Sequence, residues 1–265
     1  TEEWWAAVCE GIREVLNQPG ITAAEICCIG IDGQSWSAIP VDREGNVLAR
    51  TPIWMDTRAR EICERVKALL GEDAVFSVAG NDFLPSYTAP KMIWFRENCP
   101  DIYRKTNYFL QSNSFIAWKL TGVASQDISQ LYGLQFYNLH TMKMDYGLAS
   151  ELGTDPALIP EIHPCDEIIG HVTEKAAGLT GLLAGTPVVA GGLDAACGTL
   201  GAGVYQPGQT QEQGGQAGGM SICTENALAH KALILSPHVV PGMFLLQGGT
   251  VGGRSEERRV GKECR

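Results

Sequence analysis

The feature that most restricts the fold of this chain is an apolar run leading into glycines, a carboxylate and small residues: TPVVAGGLDAACGTLGAG at 186–203. The apolar residues 186–190 predict a buried strand, and the small residues from Ala195 onward predict a helix directly after it. The rest of the chain alternates strand and helix patterns in the same way. We therefore predict an α/β domain, a class that binds ligands at the carboxyl ends of its strands.

Asp194 lies between this strand and this helix, and the pattern allows it two roles. Glycines before it let the backbone approach a ligand closely, and a carboxylate there can accept a proton from a hydroxyl that attacks phosphorus. The alternative is an N-cap for the helix beginning at Ala195. The residues alone leave both roles open.

A second candidate is the glycine-rich segment EQGGQAGGMS at 212–221. Its glycines suit a turn whose N–H groups hold phosphate, although a plain hairpin turn is favoured on the pattern alone. It is not a P-loop, because no Gly-Lys-Ser/Thr follows.

A third candidate combines GIDGQSW at 30–36 with IWMDTRAR at 53–60. Trp36 and Trp54 could offer flat apolar faces to a sugar ring, and Gln34, Asp56 and Arg58 could hydrogen-bond its hydroxyls. Taken one at a time, the simpler interpretations are favoured: core packing for each tryptophan and a solvated helix start for the Asp56–Arg58 segment.

Composition excludes several classes of partner. The 265 residues carry a formal net charge of −10, which would repel nucleic acid and anionic membranes, so we expect neither as a partner. No apolar run reaches about 18 residues. The five histidines lack ligand spacing, so no zinc site is expected. The nine cysteines also lack it, and we expect buried thiols, the adjacent Cys27 and Cys28 included, in a cytoplasmic protein.

Periodicity predicts the remaining elements. Helices are expected at 3–17, 62–70, 90–98, 112–120, 143–152, 173–180 and 195–200. A buried strand is expected at 25–31 and a hairpin at 37–52. Further strands around glycine-rich turns are expected at 209–223 and 244–249.

Both ends of the chain are abrupt. The last twelve residues, RSEERRVGKECR at 254–265, have no apolar period and resemble a translated sequencing adapter. We expect them to be a non-native tail that packs against nothing. Thr1 leads directly into a helix pattern with no opening strand, so we expect a piece of a longer protein.

The order of these motifs resembles the FGGY carbohydrate kinases, most nearly the xylulokinase-like members. SYTAPKMIWFRENCP at 86–100 is similar to the first family signature, and the resemblance covers residues 1–253. The segments at 29–59, WKLTGVASQD, LIP at 158–160, the segment at 180–204 and the QGG near 247–249 follow in family order. The constrained signature positions are Thr88, Lys91, Trp94, Phe95, Glu97 and Asn98.

The resemblance implies an actin-like, ribonuclease-H-like domain with a mixed sheet flanked by helices, in an ATP-dependent sugar kinase that uses Mg²⁺. Asp194 matches the catalytic base and would also hold magnesium, in part through water. The other implied site residues are Gln34, Ser35, Trp36, Asp56 and Arg58 for the sugar, and Gly214, Gly215, Ala217 and Gly218 for phosphate.

Four departures from the family pattern affect these expectations. Ser35–Trp36 replaces a Met–His pair, Ala195 replaces Asn or Gln, Gln216–Ala217 replaces Thr–Ser, and the opening Asp-Gly-Thr phosphate hairpin is absent. The expected acceptor is a ketopentose such as xylulose. The alternatives are another ketose, a polyol, an aldonate, or a non-catalytic sugar-binding relative. Family members bind adenine mainly through a second domain, expected after Gly253, and the full-length protein is compatible with a homodimer.

Overall fold

A computed structural model describes residues 1–214 and 218–250. The helices are α1 Glu2–Leu16, α2 Arg60–Leu70, α3 Glu72–Ala79, α4 Thr88–Asn98, α5 Pro100–Lys105, α6 Ser112–Thr121, α7 Tyr146–Leu152, α8 Glu174–Thr180 and α9 Asp194–Gly201. Short 3₁₀ turns span Ala23–Glu25, Ile128–Leu134 and Pro156–Leu158. The strands are β1 Asp32–Gly33, β2 Ile39–Val41, β3 Tyr108–Leu110, β4 Gln126–Asp127, β5 Tyr137–Asn138, β6 Lys143–Met144, β7 Ile162–His163, β8 Ile168–His171, β9 Pro187–Val189, β10 Gly192–Leu193, β11 Thr210–Gly214, β12 Gly218–Thr224, β13 Ile234–Pro237 and β14 Phe244–Thr250.

The strands pair in both directions, as predicted for a mixed sheet flanked by helices. β1 pairs with β10 and β4 with β7 in parallel, whereas β2 with β3 and β8 with β9 are antiparallel. The longest sheet is antiparallel, in the order β11-β12-β14-β13. The parallel β1–β10 pair is the one that positions the candidate site.

Two helices, α4 and α6, are buried around much of their circumference. α4 buries every residue from Thr88 to Ile93 together with Phe95, and α6 buries eight of its ten residues. α1 instead has one buried side, through Trp5 and Cys9, and it packs beside α8. The central helices are therefore fixed by packing on several sides, which makes them a rigid support for loops.

The predicted buried strand at 25–31 is wrong. The chain there begins with a 3₁₀ turn, only Ile29 makes a bridge, to Val188, and the regular strand starts at Asp32. Cys27 and Cys28 are exposed, so the prediction of buried thiols also fails for them, although Cys9, Cys63, Cys165 and Cys223 are buried. An apolar run can predict a strand but not the segments that will pair with it. Within the described residues, the run at 25–31 pairs along one side only.

Most other predicted elements are confirmed, with shifted ends. α9 begins one residue earlier than predicted, at Asp194, and the predicted helix at 143–152 begins at Tyr146 after the short strand β6. Within the described ranges, no helix is both long and apolar enough to cross a membrane. The predicted tail at 254–265 lies outside the described residues.

Candidate active site

The candidate site begins where two neighbouring parallel strands end. Asp32 pairs with Gly192 and Gly33 with Leu193, so Gln34 and Asp194 each follow directly after their strand at the same edge. This close pairing requires glycine at 191, where φ is 75° and an added Cβ would lie 2.1 Å from the Ile31 carbonyl oxygen. Gly191 therefore lets its backbone lie against Ile31, whereas Gly192 leaves room for Val239, whose Cγ1 would lie 2.5 Å from an added Cβ.

Asp194 is exposed at this edge as the first residue of α9. Its Oδ1 accepts a hydrogen bond from the Ala195 N–H at 2.7 Å, and within the described ranges its side chain makes no other hydrogen bond. Partial desolvation by the surrounding protein raises the pKa of Asp194, the Ala195 bond lowers it, and the Asp32 carboxylate raises it further. The N-cap of α9 is Leu193, so the alternative that Asp194 is the N-cap is wrong; Asp194 is the first helical residue and still has an oxygen available for a proton.

The segment 34–36 lies at the same edge, and the hydrogen bonds and ring contacts of Trp36 fix the conformation of this segment. Trp36 has φ 55°, its N–H donates to Gln130 Oε1 at 3.2 Å, and its carbonyl accepts from Lys91 Nζ at 2.8 Å. Its ring meets those of Tyr87 and Tyr132 edge to face, with centroids 4.4 and 5.6 Å away. Trp36 is therefore partly a packing residue, as the simpler interpretation held.

The segment 53–58 is brought beside Trp36 by the same lysine, because Lys91 Nζ also donates to the Ile53 carbonyl at 2.8 Å. Asp56 and Arg58 form a fork, with Arg58 Nη2 2.7 Å from Asp56 Oδ2 and Arg58 Nε within 3.0 Å of both carboxylate oxygens. Burial raises the pKa of Asp56, but the bonds from Arg58 outweigh it and leave the pKa below its usual value.

Trp54 differs from Trp36. Its side chain is 48% exposed, so the core-packing interpretation is wrong for Trp54. The physical reason is position: Trp54 follows the anchored Ile53 in a segment without regular structure, and it points away from the core. Its ring is free to contact a ligand.

The glycine-rich segment forms a hairpin, with Gly214 opposite Gly218 at the end of the β11–β12 ladder. An added Cβ at Gly198 would lie 3.4 Å from Gln213 Nε2, which places this end of the hairpin beside α9, the helix that starts at Asp194. Gly215 and Ala217 lie outside the described residues. The phosphate-binding role predicted for this turn stays a prediction.

A buried polar network beneath the site was not predicted. Asp127 is fully buried and accepts hydrogen bonds from Asn113 Nδ2 at 2.9 Å, Ser129 Oγ at 2.5 Å and the Gln130 N–H at 3.2 Å. Burial raises the pKa of Asp127, and these bonds oppose the shift. Ser129 Oγ in turn accepts from the Leu193 N–H at 2.8 Å, one residue before Asp194.

The same network reaches the segment 34–36. Gln130 Nε2 donates to Asn113 Oδ1 at 2.9 Å, and Gln130 Oε1 accepts from Trp36. One chain of bonds therefore joins the backbone before Asp194 to the Trp36 loop. Asp127 ends the WKLTGVASQD motif and Asp32 lies within GIDGQSW, so both were visible in the sequence, but nothing there assigned them a contact.

Magnesium prefers oxygen ligands and is usually held by one or two carboxylates, water and substrate phosphates. Asp32 and Asp194 are both exposed, and they are close enough for the Asp32 charge to raise the pKa of Asp194. Within the ranges the structure describes, no group of three or more His, Cys, Asp or Glu is arranged to hold a metal. If magnesium binds here, Asp32 and Asp194 would be its protein ligands, and water and phosphate would supply the remaining oxygens.

Comparison with known proteins places this site in a family. Residues 1–201 match the model of the N-terminal domain of the FGGY family of carbohydrate kinases. Xylulose kinase of Bacillus subtilis is 29% identical over 209 residues, covering 79% of this chain and 42% of that protein. Autoinducer-2 kinase of Yersinia enterocolitica is 30% identical over 248 residues, covering 90% of this chain and 46% of that protein.

Comparison with solved structures leads to the same family. The crystal structure of xylulose kinase from Rhodospirillum rubrum superposes with a TM-score of 0.88 at 25% identity, over 94% of this chain and 51% of that one. The chain spans about half the length of the curated relatives it matches. It belongs to the FGGY family of carbohydrate kinases and has the actin-like, ribonuclease-H-like fold of that family's N-terminal domain.

Proposed function

We propose that this chain is the acceptor-binding part of a cytoplasmic, ATP-dependent sugar kinase whose acceptor is a ketopentose such as xylulose. One observation carries the proposal: Asp194, an exposed carboxylate with a raised pKa, follows its strand at the same edge as the loop Gln34–Trp36. A proton acceptor beside an acceptor-binding loop is the arrangement that transfer to a sugar hydroxyl requires.

The chemistry is a displacement at phosphorus. The sugar hydroxyl forms a new O–P bond to the γ-phosphorus of ATP, the bond from that phosphorus to the bridging oxygen breaks, and ADP leaves. Asp194 takes the hydroxyl proton, and its raised pKa makes it a better proton acceptor than an ordinary aspartate. Magnesium, when held by Asp194 and Asp32, supplies positive charge to the phosphates.

Several features support a sugar as acceptor. Gln34 and Ser35 follow β1 at the edge that holds Asp194, and the exposed ring of Trp54 offers an apolar face. The Asp56–Arg58 fork lies on the adjoining segment, where its polar edge can meet hydroxyls. The relatives named xylulose kinase favour a ketopentose. The autoinducer-2 kinase relative, together with Ser35–Trp36 in place of the family's Met–His pair, supports a second candidate, a kinase for an acceptor other than a ketopentose.

Fewer observations support the proposed ATP-binding elements. The hairpin β11–β12 ends beside α9, so its turn with Gly214, Gly215, Ala217 and Gly218 is the proposed phosphate-binding element. We assign residues 1–253 to the N-terminal domain and 254–265 to a non-native tail. Adenine would bind mainly to a second domain in a longer protein, for which a homodimer is the proposed assembly.

The test is acceptor-dependent release of ADP by the longer protein, assayed with xylulose, ribulose, xylitol, gluconate and autoinducer-2. We expect the highest kcat/KM for a ketopentose, and no turnover from residues 1–265 alone, because half a cleft cannot position both substrates. Absence of acceptor-dependent ADP release across the panel would contradict the proposed function. Turnover by the 265-residue chain would contradict the domain boundaries.

A further inference from the structure

Lys91 is a charged residue in an unusual place. It lies on α4 with its residue 0% exposed, although lysine is almost never fully buried unless it has partners. Its Nζ donates to the carbonyl oxygens of Trp36 at 2.8 Å, Ile53 at 2.8 Å and Ser86 at 2.5 Å. An ammonium has three N–H donors and no acceptor, so these carbonyls satisfy it completely.

The carbonyls come from three separate stretches of chain. Trp36 belongs to the loop after β1, Ile53 lies three residues before Asp56, and Ser86 lies just before α4. One side chain on a buried helix therefore holds both candidate acceptor segments. No other side chain in the described ranges hydrogen-bonds the backbones of both segments.

Trp36 needs such support, because φ 55° is a left-handed conformation that is unfavourable for a residue with a Cβ. Lys91 binds its carbonyl and Gln130 its N–H. Gly133 leaves room for its ring, since an added Cβ there would lie 2.6 Å from Trp36 Cδ1. The loop conformation is thus imposed by its surroundings, which is typical of functional segments.

The bonds require the protonated lysine, since a neutral amine has two N–H groups for three carbonyls. Burial lowers the pKa of Lys91 to about 7, the Asp56 carboxylate raises it, and Arg58 lowers it. Asp56 therefore favours the charged form that holds its own segment.

We propose that Lys91 is a positioning residue for the acceptor: its ammonium fixes the Trp36 loop and the Ile53–Asp56 segment at the separation that a sugar needs. The inference rests on the proposed kinase function and deepens it. The competing explanation is that Lys91 contributes only to folding stability.

Kinetics separate these explanations. In the longer protein, Lys91→Met removes the donors while keeping the shape of an unbranched side chain. We expect KM for the acceptor to rise about 10–100-fold, as expected when the parts of a site shift by about 1 Å, while KM for ATP stays within about twofold. An acceptor KM unchanged from the wild type would overturn the proposal.

The matched control is Ile93→Ala, two residues along the same helix and 1% exposed. It should lower the melting temperature through loss of a large buried side chain, without touching any of the three carbonyls. Its acceptor KM should match the wild type. An equal rise in acceptor KM in both variants would show that lost stability, not lost positioning, is the cause.

Backbone amide hydrogen exchange provides a measurement that needs no sugar. Peptides covering 34–38 and 53–57 should exchange faster in Lys91→Met than in Ile93→Ala, and equal exchange would overturn the proposal. If Lys91→Met does not fold, Gln130→Met releases the Trp36 N–H instead, and an unchanged acceptor KM there would count against the loop's role. A wild type that shows no turnover with any acceptor refutes the kinase function, whereas exchange still tests whether Lys91 holds both segments.

Discussion

Asp194 and Asp127 are the same residue type, joined through Ser129 and Leu193, yet their surroundings are opposite and suit different roles. Asp194 is exposed and accepts one hydrogen bond, from its neighbour Ala195. Asp127 is fully buried and accepts from Asn113, Ser129 and Gln130. An aspartate with a free oxygen can exchange a proton with a substrate, whereas one whose oxygens are occupied can only hold its donors in place.

The largest effect on activity is expected from a substitution at Asp194. Under the proposed function, Asp194→Asn should lower kcat about 10²–10⁴-fold, because an amide cannot accept the hydroxyl proton. Acceptor affinity and melting temperature should change little, since the residue is exposed. Steady-state kinetics measures the effect, and Asp166→Asn, an exposed aspartate, is the control. Near-normal turnover in Asp194→Asn would leave only its role at the helix start.

Asp127→Ala should produce the opposite pattern. It leaves the donors on Asn113, Ser129 and Gln130 buried without their acceptor, at a cost of about 2–5 kcal/mol in the free energy of unfolding. Urea unfolding measures this, with Asp101→Ala as the control because that side chain is 84% exposed. A variant as stable as the wild type would show that the network contributes little.

Ser129→Ala tests the link between the two aspartates. It removes the acceptor for the Leu193 N–H and one donor to Asp127, so we expect a loss of about 1–3 kcal/mol in stability. The fall in kcat should stay below about tenfold, since Asp194 itself is intact. Ser77→Ala, at an exposed serine, is the control. A loss of kcat as large as that of Asp194→Asn would mean that the network, not only the carboxylate, determines catalysis.

At saturating magnesium, which offsets the loss of a carboxylate proposed to hold that ion, Asp32→Asn should have the smallest effect on kcat, and it tests the electrostatic influence of Asp32 on Asp194. The Asp32 carboxylate raises the pKa of Asp194, so removing its charge should lower that pKa. The base must be ionised to act, and activity is lost as pH falls through its pKa. The acid limb of the kcat–pH profile should therefore move to lower pH in Asp32→Asn, and a limb that does not move would contradict the coupling.

Local patterns were sufficient for the elements whose geometry is local. The run from 186 to 203 predicted a strand, a glycine break and a helix, and the structure has β9, Gly191 at φ 75° and α9 in that order, with the short strand β10, which was not predicted, directly before α9. The glycines were predicted to let the backbone approach a ligand, whereas the structure shows Gly191 approaching the Ile31 carbonyl of the neighbouring segment. The motif order was enough to predict the family fold.

Most elements, and the place of Asp194 between a strand and a helix, could be predicted from the sequence because they depend on neighbours within a few residues, and the order of the motifs along the chain was enough for the family fold. Only the tertiary structure decided that residues 25–31 lack a regular strand, that Trp54 is exposed while Trp36 packs on two tyrosines, and which residues support the site. Lys91 and Asp127 were visible in their motifs, but their partners lie on other segments, such as Trp36 and Asn113. A side chain's role depends on which distant groups satisfy it, and packing alone brings those groups together.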